Sequence, residues 1–356
     1  MIKLPVSIGE ALDKLTILDI KLEKIRDPER RVHCQTEYDL LHTELVPYLD
    51  THAFHYARLR DVNLQIWDMQ DEIRVRPDPQ KCVDILDKND MRFRIKDTIN
   101  RAVRSYVREQ KGYPKRRALV IGHLGIGDHI GLIGAVRYIA LQHDETIVVC
   151  KAHSARTVAT FFEDLPSVTL LPVPYSYIRA PTDTSPGEVV EFDPSDFATV
   201  YRSGFYTYPR SSFGELPQGF YRDMGLDPEI RHTHFHVPIS QEARELFALV
   251  ADKPYVFVQQ KSSNCMTNLA TWDINERLTI DPNVNLYEMG HRWHTLAQSF
   301  VDRPFLSYVL VLQNAAEVHT VDSSFYCLAC YLPLKAEVKR CYARDTGVLI
   351  PSYTFN

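Results

Sequence analysis

Two rules of hydrophobic spacing divide this chain. In the first part apolar residues recur three and four apart, at Ile8, Ala11, Leu15, Leu18, Leu22 and Ile25, and again at Leu59, Val62, Ile66, Met69 and Ile73. Such spacing lays one apolar stripe along each of two helices. Ser7 and Glu10 predict a capping box, in which hydroxyl and carboxylate satisfy each other's free backbone N–H groups. Pro77 and Pro79 then interrupt the chain, and "NDMRFRIKDTINRAVRSYVREQ" supplies a further amphipathic helix. Residues 1–112 therefore predict an antiparallel helical bundle or hairpin. The seams are heptad-like but short, so packing within one chain and a dimer through these helices both fit. Asp13, Lys14 and Lys21 form a polar flank, read either as solvated or as a binding face. "GYPKRR", residues 112–117, reads as a linker.

From Arg117 onward short apolar runs alternate with amphipathic segments, the pattern of a parallel sheet wrapped by helices. "RALVIG", "ETIVVCK" and "VTLLPVP" read as strands, with "IGLIGAVRYIALQH" and "ARTVATFFEDL" as the helices between them. Residues 175–235 are rich in Tyr, Pro, Ser and Asp and read as long loops of the kind that line a cleft. "SQEARELFALVADK", "YVFVQQ", "FLSYVLVLQNA", "EVHTVD" and "SSFYCLACYL" then repeat the alternation. The expected fold class is α/β, with two Rossmann-like domains at 117–238 and 239–356 behind the helical segment.

Composition narrows the function classes. With 45% hydrophobic and 24% charged residues, the 356-residue chain is globular in type, and its net charge of -5 leaves no basic footprint for nucleic acid. The opening "MIKLPVSIGEALDKL" lacks the apolar run of a signal peptide, and the seven cysteines are scattered, so a cytoplasmic location is expected. Cys327 and Cys330 make a CxxC, but inside an apolar helical run rather than a redox or zinc setting. His232, His234 and His236 would line one face of a strand, with no acid or cysteine at ligand spacing, and no metal is expected.

The chemistry concentrates at "ALVIGHLGIGDHIGLIGAVRYIA", a strand that turns into a helix through Gly122, Gly125, Gly127 and Gly131. Ligands of open parallel sheets sit at such carboxyl ends, where glycines admit them to the main chain. The spacing is neither GxGxxG nor a Walker loop. Asp128 would repel a phosphate. It reads as a general base facing a hydroxyl, or as the cap of its own helix. In the second half, Asp322 ends a strand, and Ser323 and Ser324 open a helix whose N–H groups could hold a diphosphate.

Together "GIGDHIGLIGAVRYIA" and "VDSSFYCLA" resemble the GT-B glycosyltransferases, most closely the heptosyltransferase-like family. The resemblance implies an inverting sugar transfer from a nucleotide-diphosphate donor to a glycan or glycolipid acceptor, in surface polysaccharide or lipopolysaccharide synthesis. It makes residues 117–238 the acceptor side and 239–356 the donor side. Asp128 at the glycine corner of Gly125 and Gly127 becomes the catalytic base, and Asp322, Ser323 and Ser324 become donor-binding. Lys261, just after a strand, falls where the family often has a basic residue for the diphosphate, and His294, with His291 and Arg292, is placed near the same cleft. Two departures stand out: the family's glycine after Asp-Ser is Ser324 here, and its histidine falls on Cys327. No cofactor is implied, and the chain has no Asp-x-Asp for a divalent ion. A glycolipid acceptor would bring the protein to the inner face of the membrane. Separately, "PVSIGEALDKLTILDIKLEKI", "NLQIWDMQDEIR" and "NDMRFRIKDTIN" resemble a helical bacterial domain of unassigned function, often seen beside or fused to sugar-transferring enzymes. That helical part also admits a non-catalytic role, as a scaffold that recruits a partner transferase.

Overall fold

The first helix begins where Ser7 predicts, with its Oγ accepting the Glu10 N–H at 3.2 Å. Glu10 does not complete the expected box. Its carboxylate takes the Lys96 ammonium at 2.6 Å, a charged donor that outweighs a neutral backbone N–H. The computed structural model describes residues 5–112, 115–122, 125–173, 194–203, 216–262, 265–269, 272–351 and 355. Its N-terminal part is four helices, α1 (Ile8–Lys24), α2 (Pro28–Leu49), α3 (Ala53–Val75) and α4 (Pro79–Ala102). The sequence pattern did not announce α2, because Leu45 is the one residue it buries. Helix α4 stops short of the expected run to Gln110: Arg104 has φ 52°, a left-handed conformation that ends a helix.

Leu12, Leu15, Leu45, Leu59, Val62, Ile66, Ile95 and Ile99 form the core of these helices. Asp13 is inside it rather than on a polar flank, at 2% exposure. It accepts Asn63 Nδ2 at 2.9 Å and Arg92 Nε at 2.8 Å. Lys14 pairs with Glu37 at 2.5 Å on the surface.

The α/β part follows as β1 (Arg117–Ile121), α5 (Ile126–Gly131), α6 (Ile133–Ala140), β2 (Glu145–Lys151), α7 (Ala155–Thr160), β3 (Val168–Val173), β4 (Thr199–Arg202), α8 (Leu216–Asp223) and α9 (Ile230–Thr233). Then come α10 (Gln241–Ala248), β5 (Val256–Gln259), β6 (Thr279–Ile280), α11 (His294–Gln298), α12 (Val309–Asn314), β7 (Glu317–Val321), α13 (Ser324–Ala329) and β8 (Val338–Tyr342). Two four-stranded sheets result, ordered β3-β2-β1-β4 and β6-β5-β7-β8. The second is parallel throughout, with Val258 beside His319 and Val321 beside Tyr342. This is the α/β class with parallel sheet and N-terminal helices that the alternation predicts. Much of the expected loop region, 174–193 and 204–215, lies outside the described residues.

The chain divides into two compact units. One takes Met1–Ala118 together with Tyr138–Thr146 and Asp164–Thr169; the other takes Leu119–Arg137, Ile147–Glu163 and Leu170–Asn356. The helical unit thus includes chain from beyond the linker. Arg94 of α4 bonds Asp144 at 3.0 Å and the Leu141 carbonyl at 3.2 Å, and His55 stands 3.8 Å from Asp164.

Asp13→Ala should lower the unfolding free energy by about 3 kcal/mol, because a buried charge pair is broken and Arg92 and Asn63 lose their acceptor. Urea titration of full-length wild type and variant measures it.

Candidate functional site

Both motifs stand where strand order reverses. In the first sheet the chain runs outward from β1 through β2 to β3 and then crosses to β4 on the other side; in the second it runs from β5 to β6 and crosses back to β7. Crevices at such reversals, outside the carboxyl ends of the strands, are the usual ligand sites of doubly wound sheets. The Gly122–Asp128 corner leaves the carboxyl end of β1. Lys261 follows β5, and Asp322, Ser323 and Ser324 follow β7.

The corner folds differently from its sequence reading. Helix α5 begins at Ile126, inside the glycine run, because Asp128 Oδ2 reaches back to accept the Gly125 N–H at 2.9 Å. The same oxygen lies 2.7 Å from where a Cβ on Gly125 would be, and Leu132 Cδ1 lies 2.4 Å from that point on Gly122. Gly127 faces the second motif: a Cβ there would stand 3.0 Å from Cys327 Sγ and 3.8 Å from Ser324 Cα. The points that Cβ atoms would occupy at these glycines are therefore taken by the chain itself, and at Gly127 the absent side chain lets α5 close on α13. This contact brings Asp128 and Asp322 around one thiol. Burial pushes the Cys327 thiol well up, and the Cys330, Asp128 and Asp322 charges add to the shift. The thiol stays protonated and supplies no positive charge.

After β5 and β7, Gln259 ties the two loops together. Its Oε1 accepts the Ser323 hydroxyl at 2.6 Å, and its Nε2 donates to the Lys261 carbonyl. This glutamine, 2% exposed, was missed in the sequence, where a single polar residue at a strand end carries no signal. Lys261 itself is exposed and bridges Met266. Arg344 was also missed. It lies beyond β8, with its guanidinium 3.7 Å from Asp322 Oδ2 and its carbonyl accepting Cys265 Sγ at 2.6 Å and Thr267 Oγ1.

His294 is not brought into this cluster. It starts α11 on the side of the edge strand β6, where its carbonyl accepts Asn285 Nδ2 at 3.0 Å. Its neighbour Trp293 helps line a cavity of about 250 Å³ at the amino ends of β5, β6 and β7, with Tyr255, Leu278 and Ala316. His291 stacks on Tyr287 and Arg292 covers Trp293 at 4.1 Å, so those side chains serve packing on that flank. His232, His234 and His236 do not share a strand face either. Ile230–Thr233 is helical and His234 ends it, because Glu229 and Ile230 carbonyls take the N–H groups of Thr233 and His234 at 3.1 and 3.0 Å. Among the described residues no cluster of three or more His, Cys, Asp or Glu could hold a metal, and no helix is long and apolar enough to cross a membrane.

Residues 2–119 match the model of a family described as "Family of unknown function (DUF6165)". No curated protein matches the chain. Among solved structures, the iron-containing dodecameric glycosyltransferase TibC from enterotoxigenic E. coli is similar at 17% identity and a TM-score of 0.36, over 67% of this chain and 61% of that one. The same heptosyltransferase in complex with ADP-D-beta-D-heptose gives 16% and 0.35, over 67% and 60%. E. coli ADP-heptose lps heptosyltransferase II gives 13% and 0.35, over 62% and 83%. The chain spans about three fifths of the length of TibC.

Next to Asp128, His129 is buried with no hydrogen-bond partner for Nε2 among the described residues, and burial lowers its pKa to about 4. Its unfolded value is near 6.5, so the unfolded chain binds the extra proton first, and stability present above pH 6.5 is lost as pH falls toward 4. Asp281 works in the opposite sense, since burial raises it to about 6. Comparing wild type with His129→Leu cancels that common contribution. Between pH 7 and pH 4 the wild type should lose on the order of 3 kcal/mol more unfolding free energy than the variant, measured by urea titration at each pH.

Proposed function

We propose that the chain is a glycosyltransferase of GT-B arrangement, moving a sugar from a nucleotide-diphosphate donor to a glycan or glycolipid hydroxyl. The observation that supports this reading is the meeting of the two motifs: Gly127 packs on Cys327, which brings the corner bearing Asp128 close to the segment bearing Asp322, Ser323 and Ser324. In this reading 1–112 is a helical appendage, 117–238 is the acceptor side and 239–356 is the donor side. A glycolipid acceptor would place the enzyme at the inner face of the membrane, and surface polysaccharide or lipopolysaccharide synthesis is the setting that the motif resemblance favours.

The chemistry is a single displacement. The acceptor oxygen attacks the anomeric carbon while Asp128 takes its proton, and the bond from that carbon to the diphosphate oxygen breaks with inversion. Charge grows on the departing diphosphate, where Lys261 stabilises it. Ser323 and Ser324 position the donor, with Ser323 held by Gln259. Holding Asp128 at the helix start also fixes it at the crevice, so the capping bond and the base role are compatible in one residue.

A second reading is favoured by Cys327. A neutral thiol stands where the resemblance calls for a histidine, which supports a catalytically silent nucleotide-binding protein or a scaffold for a partner transferase. Asp128→Asn separates the two. Its amide oxygen can still accept the Gly125 N–H, so folding and nucleoside diphosphate binding should stay near wild type. Transfer measured across a nucleotide-sugar panel should fall on the order of 10²-fold or more, the scale of a lost general base. Wild-type binding of a nucleoside diphosphate without any transfer would establish the silent reading instead.

A further inference from the structure

Two carboxylates meet near the carboxyl end of β7. Asp322 and Asp128 both act on the Cys327 thiol. A diphosphate brought beside two carboxylates is repelled unless cations accompany it. Two cations at this edge are held on one platform. Lys261 bridges Met266, while the residues on either side of that methionine, Cys265 and Thr267, donate to the Arg344 carbonyl. The strip 265–267 therefore carries Lys261 along one side and Arg344 along the other. Register completes the placement: Val321 pairs with Tyr342, and the Asp322 N–H donates to the Tyr342 carbonyl at 2.8 Å. Arg344, two residues on, thus comes beside Asp322, 3.7 Å from its carboxylate and with its side chain 45% exposed.

We propose that Arg344 is a phosphate-binding residue of the donor site and that Asp322 is its positioning residue. This rests on the donor reading above and extends it, since Arg344 belongs to neither motif. A carboxylate makes a poor direct ligand for a diphosphate but a good anchor for a guanidinium, whose planar fork has five N–H donors. Asp322 stands 3.7 Å from one terminal nitrogen of that fork, and phosphate oxygens would take the other donors in the geometry that arginine matches best. The ligand class is the diphosphate of a sugar nucleotide, with Lys261 and Arg344 as its pair of cations.

The test uses the full-length chain, with ADP, GDP, UDP and CDP each titrated by calorimetry, and inorganic pyrophosphate as a base-free probe. Arg344→Ala should weaken the preferred nucleoside diphosphate and pyrophosphate by about 10- to 100-fold, as expected for a lost charge-assisted hydrogen bond. The matching nucleoside, which has no phosphate, should bind as before, and Arg344→Lys should recover part of the loss. The double variant Asp322→Asn with Arg344→Ala decides between direct binding and mere screening: it should stay about 10-fold or more weaker than wild type. Return of the double variant to wild-type affinity would mean that Arg344 only neutralises Asp322, and the proposal falls. It also falls if Arg344→Ala binds diphosphate unchanged, an outcome that leaves the donor reading standing. Wild type that binds pyrophosphate in an Arg344-dependent way but no nucleoside diphosphate keeps the anion site and removes the donor reading. Wild type that binds neither removes both.

Discussion

The crevice depends on one close approach. Gly127 lets α5 come close to Cys327 and the Ser324 main chain, and a Cβ at 127 would ask the Cys327 thiol to give by a few tenths of an ångström. Through that contact the carboxyl end of the first sheet meets that of the second inside a single compact unit. A glycine run at a strand end is usually read as room for a phosphate. Here part of that room is filled by Leu132, by the Asp128 carboxylate and by Cys327. What remains is an arrangement in which the Asp128 and Asp322 carboxylates both act on the Cys327 thiol.

A second layer of organisation is built from buried hydrogen bonds rather than from helix starts. Gln259 and Gln260 are both almost fully buried at the end of β5. The first links Ser323 to Lys261, and the second accepts the Leu269 N–H at 2.7 Å and donates to Asp281 at 3.2 Å. Buried amides that satisfy several partners at once fix loops in one arrangement, since each broken bond would leave a desolvated group unpaired. The face of the second sheet beneath them is polar as well. His319 bonds Tyr342 at 2.9 Å and Glu317 at 3.2 Å, Glu317 pairs with Arg277 at 2.7 Å, and the Trp272 ring packs against His319 at a tilt of 41°. Burial holds His319 below its ordinary pKa, in keeping with a structural imidazole inside a satisfied network.

The helical unit applies the same principle more sparingly. Its apolar core is ordinary, but Asp13, Asn63, Thr16 and Arg92 form a buried polar knot across α1, α3 and α4. Apolar contacts tolerate sliding between helices. A carboxylate with two fixed donors does not, so the knot sets the register of three helices whose seams alone would permit several.

How much of this the sequence determined follows from which forces are local. Period 3.6 spacing records which side of a helix faces away from water, and short apolar runs mark buried strands, so α1, α3, α4, β1, β2, β3, β5 and β7 were legible from residue order, as were the strand-to-helix corner and the position of Asp322. Local chemistry also fixed the Ser7 cap. Helix α2, which buries one residue, left no such record. Strand order and pairing join residues far apart, and only the tertiary structure decided that Cys327 would fill the space over Gly127, that Asp13 would be buried against Arg92, and that Arg344 would stand beside Asp322. The histidines were decided in two ways: His294 lies on the side of the edge strand β6, whereas His232 sits in a helical turn closed by local hydrogen bonds. A side chain's partner is set by where the backbone returns after dozens of residues, and the spacing of its near neighbours does not encode that.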